Sequence, residues 1–226
     1  MSLQVGDEIL HVDGQQQMLH DLIATYAPAR KIDTIAIVGN APLPPDARRA
    51  ELIDSSDLVV RMTSFGLDLP GAAPTLGRRC DVVVLHRGVI NSPFVFADYT
   101  NRLYLLVEPG RLHWEREDVP RRWPPDLGFV PVSNYDFTVP LLHLLGLDTS
   151  VPVWSTTGTL AAYLFTRLFP DATVRLTGLS LVDNPNQTTF QHAWGKAVGV
   201  TSEHRLHREA ELLKSWHNEG RIDLLP

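Results

Sequence analysis

Short apolar runs, separated by polar stretches bearing glycine and proline, set the pattern of this chain. Ile35, Ala36, Ile37 and Val38 make one run, of the length a strand buried on both faces needs. Leu58, Val59, Val60 and Met62 make a second, opened by the turn-like Asp54-Ser55-Ser56-Asp57. Further runs at Asp81–His86, Leu103–Val107, Phe129–Val132, Thr173–Leu176 and Arg221–Leu225 predict more strands. Between them the apolar period lengthens to that of helices. Residues 15–30 carry Met18, Leu19, Leu22, Ile23 and Tyr26 as one stripe, which Pro28 stops. Thr138–Leu147 predicts a helix ended by Gly146 or the acidic turn after it. Residues 155–169 predict a strongly apolar helix entered through a Ser/Thr/Gly turn. Residues 202–218 predict an amphipathic one: Leu206, Ala210 and Leu213 fall at i, i+4 and i+7, Leu212 and Trp216 widen the face, and Gly220 closes it. Strands alternating with helices predict α/β architecture: a single Rossmann-like domain over residues 1–226 with a mostly parallel sheet.

Three stretches break the alternation. Residues 66–79, with Gly66, Pro70, Gly71, Pro74 and Gly77, read as a loop. Glu108–Asp126 is charged, proline-rich and tryptophan-bearing, an irregular surface segment or flap. Residues 182–201 are rich in Asn, Gln, Thr, Gly and His and predict a mobile loop or lid. No repeat, low-complexity tract or linker divides the chain.

Composition narrows the function classes. The chain has 226 residues, 44% hydrophobic and 20% charged, which is ordinary for a globular domain. A formal net charge of −6 argues against a nucleic-acid partner, yet leaves room for a small anionic ligand in a locally positive cleft. Cys80 is the only cysteine, so no intramolecular disulfide forms, in keeping with a reducing compartment. The N-terminus is polar and acidic, unlike a signal peptide, and no apolar run approaches the roughly 18–20 residues of a membrane span. The expectation is a cytoplasmic protein without an integral membrane segment, or one peripheral at a membrane.

Several common sites are absent: no dinucleotide G-x-G-x-x-G, no P-loop, no G-x-S-x-G elbow, no zinc pattern and no Asp-x-Asp metal clamp. Three features remain, each with an ordinary structural reading beside the chemical one. Gly39-Asn40 ends the first strand at the sheet edge where α/β proteins bind ligands. The Asn40 amide offers donors and an acceptor to a phosphate or sugar hydroxyl, or it bonds its own backbone as a turn residue. Thr156-Thr157-Gly158 opens the 155–169 helix, whose free N–H groups attract a phosphate or carboxylate, or it is simply an N-cap. His204, placed in the first turn of the last helix, suits general-base work, with Glu209 steadying the site through neighbouring groups. Otherwise both belong to a solvated charged face, and His207 is a rival base. Weaker candidates are His86, Arg87, Tyr135, His192 and Trp194.

Taken in order, these segments resemble the sialyltransferases. The stretch IAIVGNAPL…IDSSDLVVRM is similar to the family's large motif, matching at Val38-Gly39-Asn40, Ile53-Asp54, Asp57, Val59 or Val60, Arg61 and Met62. STTGTLAAYLF…VRLTGLSL resembles the small motif, with its later strand ending in Gly178. His204-x-x-x-x-Glu209 resembles the last short motif, and the arrangement is also similar to bacterial sialyltransferases with this nucleotide-binding core. The resemblance implies a GT-A-like variant fold and an inverting transfer of sialic acid, or a related acidic sugar such as Kdo, from a CMP-activated donor to a glycan hydroxyl. It implies no metal and no cofactor beyond the donor. Asn40 would contact the donor phosphate or ribose; Thr156, Thr157 and Gly158 would hold its carboxylate or nucleotide; Arg61, Thr63 and Gly178 would lie with them at the substrate site; His204 would take the acceptor proton, assisted by Glu209. Two departures stand out. Thr63 replaces the family's Asn and cannot offer a planar amide pair, and one cysteine cannot form the disulfide of the animal enzymes. The alternatives are another nucleotide-dependent transferase or hydrolase on the same core, or a non-catalytic nucleotide- or glycan-binding protein.

Overall fold

The computed structural model describes residues 16–88, 92–108 and 123–226. Most of the expected 108–126 flap, and the start of the first helix at residue 15, lie outside the described residues.

The apolar runs become strands β1 (Thr34–Val38), β2 (Leu58–Met62), β3 (Val82–Leu85), β4 (Leu103–Leu106), β5 (Val130–Pro131), β6 (Thr173–Thr177) and β9 (Ile222–Leu224), which form one seven-stranded sheet in the order β5-β4-β3-β2-β1-β6-β9. Every pairing in it is parallel. Two further short strands, β7 (Thr189–Phe190) and β8 (Val198–Gly199), pair with each other as a separate antiparallel ribbon. The ribbon occupies much of the 182–201 segment read as a lid.

Helices cover both faces of the sheet. Beneath one face lies the larger core, built on α1 (residues 16–26), α4 (Thr157–Leu168) and α5 (Leu206–Asn218), with Ile23, Ile35, Leu160, Phe165 and Leu213 fully enclosed. The other face packs against α2 (Ala47–Asp54), where Ile53 meets Ala36, Val38 and Val59. β2 and β3 are buried at every residue, which is why the sequence shows solid apolar runs rather than alternation.

The chain lays β2 to β5 outward on one side of β1, then returns to place β6 and β9 on the other. The direction of winding therefore reverses between β1 and β6, and the connections leaving their carboxyl ends part there to form a crevice. Gly39 allows the two ends to close up. Its N–H donates to Thr177 O at 2.8 Å, and Ala41 N donates to Gly178 O at 3.0 Å. A Cβ on Gly39 would stand 2.6 Å from the Gly178 carbonyl carbon, so only glycine fits.

The Gly/Pro-rich 66–79 loop is tied down by three side chains. Arg61 donates to the carbonyls of Arg79 (2.7 Å), Gly66 (3.3 Å) and Leu76 (2.7 Å). Asp68 accepts from the N–H groups of Thr75, Leu76 and Gly77, and Asp54 from those of Arg78 and Arg79.

Two helices begin later than the sequence pattern predicts. The expected Thr138–Leu147 helix is α3 (Val139–Leu144), preceded by a π-helical turn over Asn134–Thr138. Pro140 has no N–H to give to the fourth carbonyl back, and Val139 N bonds the wider-spaced Asn134 O. The last helix starts at Leu206, not near Ser202; Arg205 at its cap has φ −121 and makes no side-chain cap bond. His204 thus stands before the helix rather than in its first turn. Among the described residues no helix is long and apolar enough to cross a membrane.

Candidate active site

A cleft of about 280 Å³ opens at the carboxyl ends of β1, β2, β3 and β6, over the crevice between β1 and β6. Its walls come from chain segments far apart in sequence: Gly39–Ala41 after β1, Met62–Ser64 after β2, His86 after β3, Ser155–Gly158 at the head of α4, and Gly178–Leu181 after β6. The ribbon closes one side with Phe190, Gln191 and His192, and His204 stands at its base. The ribbon is pinned to the β1 edge, since Ala193 N donates to Asn40 O at 2.6 Å.

Of the residues singled out from sequence, Asn40, Thr63, Thr156, Thr157, Gly158, Gly178 and His204 all line this one cleft. Asn40 Oδ1 is buried and bonds nothing in the protein, so it is an acceptor waiting for a donor. Thr63 has φ 23, a strained backbone for a β-branched residue, and its N–H is used by Val84 O at 3.0 Å. Gly158 packs against Leu179 closely enough that a Cβ would meet its Cδ2 at 2.5 Å. The head of α4 thereby comes down onto the β6 exit, and the first-turn N–H groups, which have no partners within their own helix, sit at the cleft wall.

The His204 imidazole is held in one tautomer. Its Nδ1 lies 3.0 Å from Trp154 O, and a carbonyl can only accept, so Nδ1 carries a hydrogen and the neutral form of the ring has its lone pair on Nε2. Phe190 packs edge-on to the ring at 6.2 Å. His86 has the opposite arrangement: its Nδ1 accepts from Gly88 N at 3.1 Å, which places its hydrogen on Nε2. The two rings therefore carry their hydrogens on opposite nitrogens. Burial lowers the pKa of His192, the third histidine of the wall.

Three of the sequence candidates stand outside the cleft. Arg61 does not reach the cleft: it is fully buried within β2, with its guanidinium spent on the 66–79 loop carbonyls. Burial pulls its pKa down, opposed by the nearby Cys80, Asp54 and Asp68. Glu209 also stays out of the cleft. It is 0% exposed, and its Oε2 accepts from Thr156 N at 2.9 Å and from Thr156 Oγ1 at 2.6 Å. It grips the α4 N-cap from below, while Thr156 Oγ1 caps Thr159 N at 3.3 Å. Glu209 is a positioning residue, and the Thr156 hydroxyl is occupied by the protein itself. His207, the rival base, is exposed and bonds Asn186 Oδ1 at 2.8 Å, away from the cleft wall.

Among the weaker candidates His86 and His192 line the cleft; Arg87, Tyr135 and Trp194 do not. Tyr135 is 76% exposed on the π-helical turn. Trp194, near the ribbon tip, packs edge-on to Phe94 at 5.6 Å. Cys80 is buried, and burial pushes its thiol up to about 11, so it is inert at neutral pH. Sequence reasoning passed over Ser155, Ser64 and Ser180, which also line the wall. Ser155 was legible only as part of an N-cap run.

No protein-family model matches the chain, and no curated protein sequence matches it. Solved structures do. A mammalian sialyltransferase superposes with a TM-score of 0.56 at 15% identity, over 90% of this chain and 76% of that one. A mammalian sialyltransferase in complex with Gal-beta-1-3GalNAc-ortho-nitrophenol superposes at 0.57 with 14% identity and the same coverage. The all-parallel seven-stranded sheet and the helices on its two faces are therefore the fold seen in sialyltransferases, a variant of the GT-A architecture.

Proposed function

We propose that this chain is an inverting glycosyltransferase that moves sialic acid, or a related acidic 2-keto sugar, from a CMP-activated donor to a glycan hydroxyl. One observation carries the reading: Asn40, the head of α4 and the His204 imidazole meet on a single cleft at the switch point of the sheet. The shared fold supports it.

The transfer is one displacement. The acceptor hydroxyl oxygen attacks the anomeric carbon from the side opposite the nucleotide as the bond from that carbon to the phosphate oxygen breaks. The phosphate leaves with the electron pair, and configuration inverts. His204 Nε2 takes the proton of the incoming hydroxyl, and Trp154 O steadies the imidazolium through Nδ1–H. The α4 N-terminus faces the charge that grows on the departing phosphate, or the sugar carboxylate, and the His86 and His192 rings lie on the same wall. Asn40 receives a donor-substrate hydroxyl or, with its amide turned, gives hydrogen bonds to the phosphate. Nothing in this sequence of steps calls for a metal ion.

Two measurements test the reading. Calorimetry with CMP gives binding in the micromolar to low millimolar range; absence of binding at millimolar CMP overturns it. His204→Ala then lowers kcat by about 10²–10⁴-fold while CMP affinity holds, and His207→Ala changes neither. A second reading, a transferase using a different nucleotide, is favoured by Thr63, which has no amide with which to read cytosine. Tighter binding of UMP or ADP than of CMP selects it.

A further inference from the structure

We propose that Ser155 is a ligand-binding residue of this cleft, donating its hydroxyl hydrogen to an anionic oxygen of the donor substrate. The inference rests on the proposed function and adds a contact that the motif positions Thr156, Thr157 and Gly158 do not include.

Ser155 is 2% exposed, and its Oγ has no hydrogen-bond partner in the protein, yet the residue lines the cleft. It sits immediately before the N-cap of the 12-residue helix α4. Its neighbour Thr156 would be the obvious hydroxyl to offer a ligand, but Glu209 and Thr159 already use it. Of these two neighbours, Ser155 is the one whose buried hydroxyl has no partner in the protein.

The strand of backbone carrying it cannot turn away. On one side Trp154 N donates to Glu203 O at 3.2 Å and Trp154 O receives the His204 ring at 3.0 Å. On the other side Thr156 N is fixed to Glu209 at 2.9 Å. Both restraints come from the segment that enters α5 and from α5 itself, so the carbonyl that holds the base, the free hydroxyl and the N-cap fall on three consecutive residues, Trp154, Ser155 and Thr156, of one braced strap. A buried hydroxyl without a partner is unfavourable, because it has lost water and gained nothing. That deficit disappears when a ligand supplies an acceptor. The positive end of α4 at the same spot selects the acceptor's charge: an anionic oxygen, which only accepts, so Ser155 donates. Two groups on the donor carry such oxygens, the nucleotide phosphate and the sugar carboxylate.

The test compares wild type with Ser155→Ala by calorimetry and thermal melting, using CMP, CMP-N-acetylneuraminate, free N-acetylneuraminate and inorganic phosphate. The free variant is expected to melt at the wild-type temperature or a few degrees above it, since it loses an unsatisfied group and no contact. Its affinity for CMP-N-acetylneuraminate is expected to fall about tenfold to a hundredfold, the range for a hydrogen bond to a charged group. If CMP weakens in parallel, the phosphate is the acceptor. If CMP is unaffected and free N-acetylneuraminate weakens, the carboxylate is. Equal affinities of wild type and variant for every probe overturn the inference while leaving the proposed function standing. A variant that melts well below wild type also overturns it, because the hydroxyl then has a structural partner. Wild type that binds none of the probes removes the proposed function and this inference together.

Discussion

Replacing Glu209 by alanine takes away the acceptor beneath the head of α4. Thr156 N and Thr156 Oγ1 both donate to Glu209 Oε2, at 2.9 Å and 2.6 Å, in a place sealed from water. The hydroxyl can turn to Thr159 Oγ1, 3.0 Å away, but the N–H cannot move without unwinding the cap. An orphaned buried N–H costs about 1–3 kcal/mol. The one side-chain methylene removed adds roughly 0.8 kcal/mol of lost apolar burial. Against this, Oε1 of Glu209 has no partner in the native protein, so its removal returns about 1 kcal/mol. The net is a destabilisation of about 1–3 kcal/mol, which for a chain of this size lowers Tm by roughly 2–12 °C. Glu209→Gln keeps an acceptor for Thr156 and is expected to lose less than half as much. Urea denaturation with thermal melting of the three proteins reads these numbers directly. CMP titration of the alanine variant at a temperature where it is folded should show weaker binding, because the cap that presents the α4 N–H groups has loosened. An alanine variant within about 0.5 kcal/mol of wild type, or a glutamine variant as damaged as the alanine one, refutes the positioning role.

Two further outcomes follow from contacts at the other end of the site and of the sheet. Gly39→Ala forces a methyl against the backbone carbonyl of Gly178, which cannot swing aside, and should cost about 3 kcal/mol; Gly128→Ala, where nothing lies within 4 Å, is the control, and equal melting of the two contradicts the close approach. Asp57 accepts from Asp33 N, Thr34 N and Thr34 Oγ1; burial opposes its ionisation, but these bonds prevail and lower its pKa. A lowered pKa means that the carboxylate stabilises the fold above its unfolded value of about 3.9, and that this contribution fades as pH falls through the folded value. The stability gap between wild type and Asp57→Asn should thus be full at neutral pH and shrink below about pH 4; a gap that does not vary between pH 3 and 7 refutes it.

The elements that sequence makes legible are those whose neighbours are generic. β1 to β4 announce themselves because strands covered on both faces need apolar residues at nearly every step, whereas β6 and the edge strand β9 show only short apolar runs broken by Arg175 and Asp223. Arg61 shows the limit of that logic. In a strand buried on both faces, position along the run does not tell which way a side chain points, and a long cation among valines can serve a loop as easily as a ligand. The start of α5 was misjudged because Arg205 supplies no capping side chain, so nothing in Ser202–Arg205 separates a turn from a helix. Glu209 is the instructive case. It sits among Arg208, Glu211 and His207 and reads as solvated. Yet it falls three residues after Leu206, four before Leu213 and seven before Trp216, on the buried stripe. An acidic residue on an apolar stripe signals a distant partner, though only the folded chain reveals it as Thr156, 53 residues back. The place of Asn40 on the cleft is readable from its strand-end position, because ligands gather at carboxyl ends, whereas Thr157 at the head of α4 and His204 ahead of α5 carry no such mark. Nor is Ser155 readable, since a serine before a helix has a sufficient ordinary explanation.

The stretch from Gly66 to Arg79 has the composition of a slack connector, yet its carbonyls and amides are claimed by Arg61, Asp68 and Asp54. Slackness is therefore a poor description of its behaviour. Opening it would strand a guanidinium under the sheet with three vacant donors, so its backbone should exchange hydrogen for deuterium on the timescale of the neighbouring strands. Proteases should pass it over, and inserting residues there should be harmful where glycine and proline usually advertise tolerance.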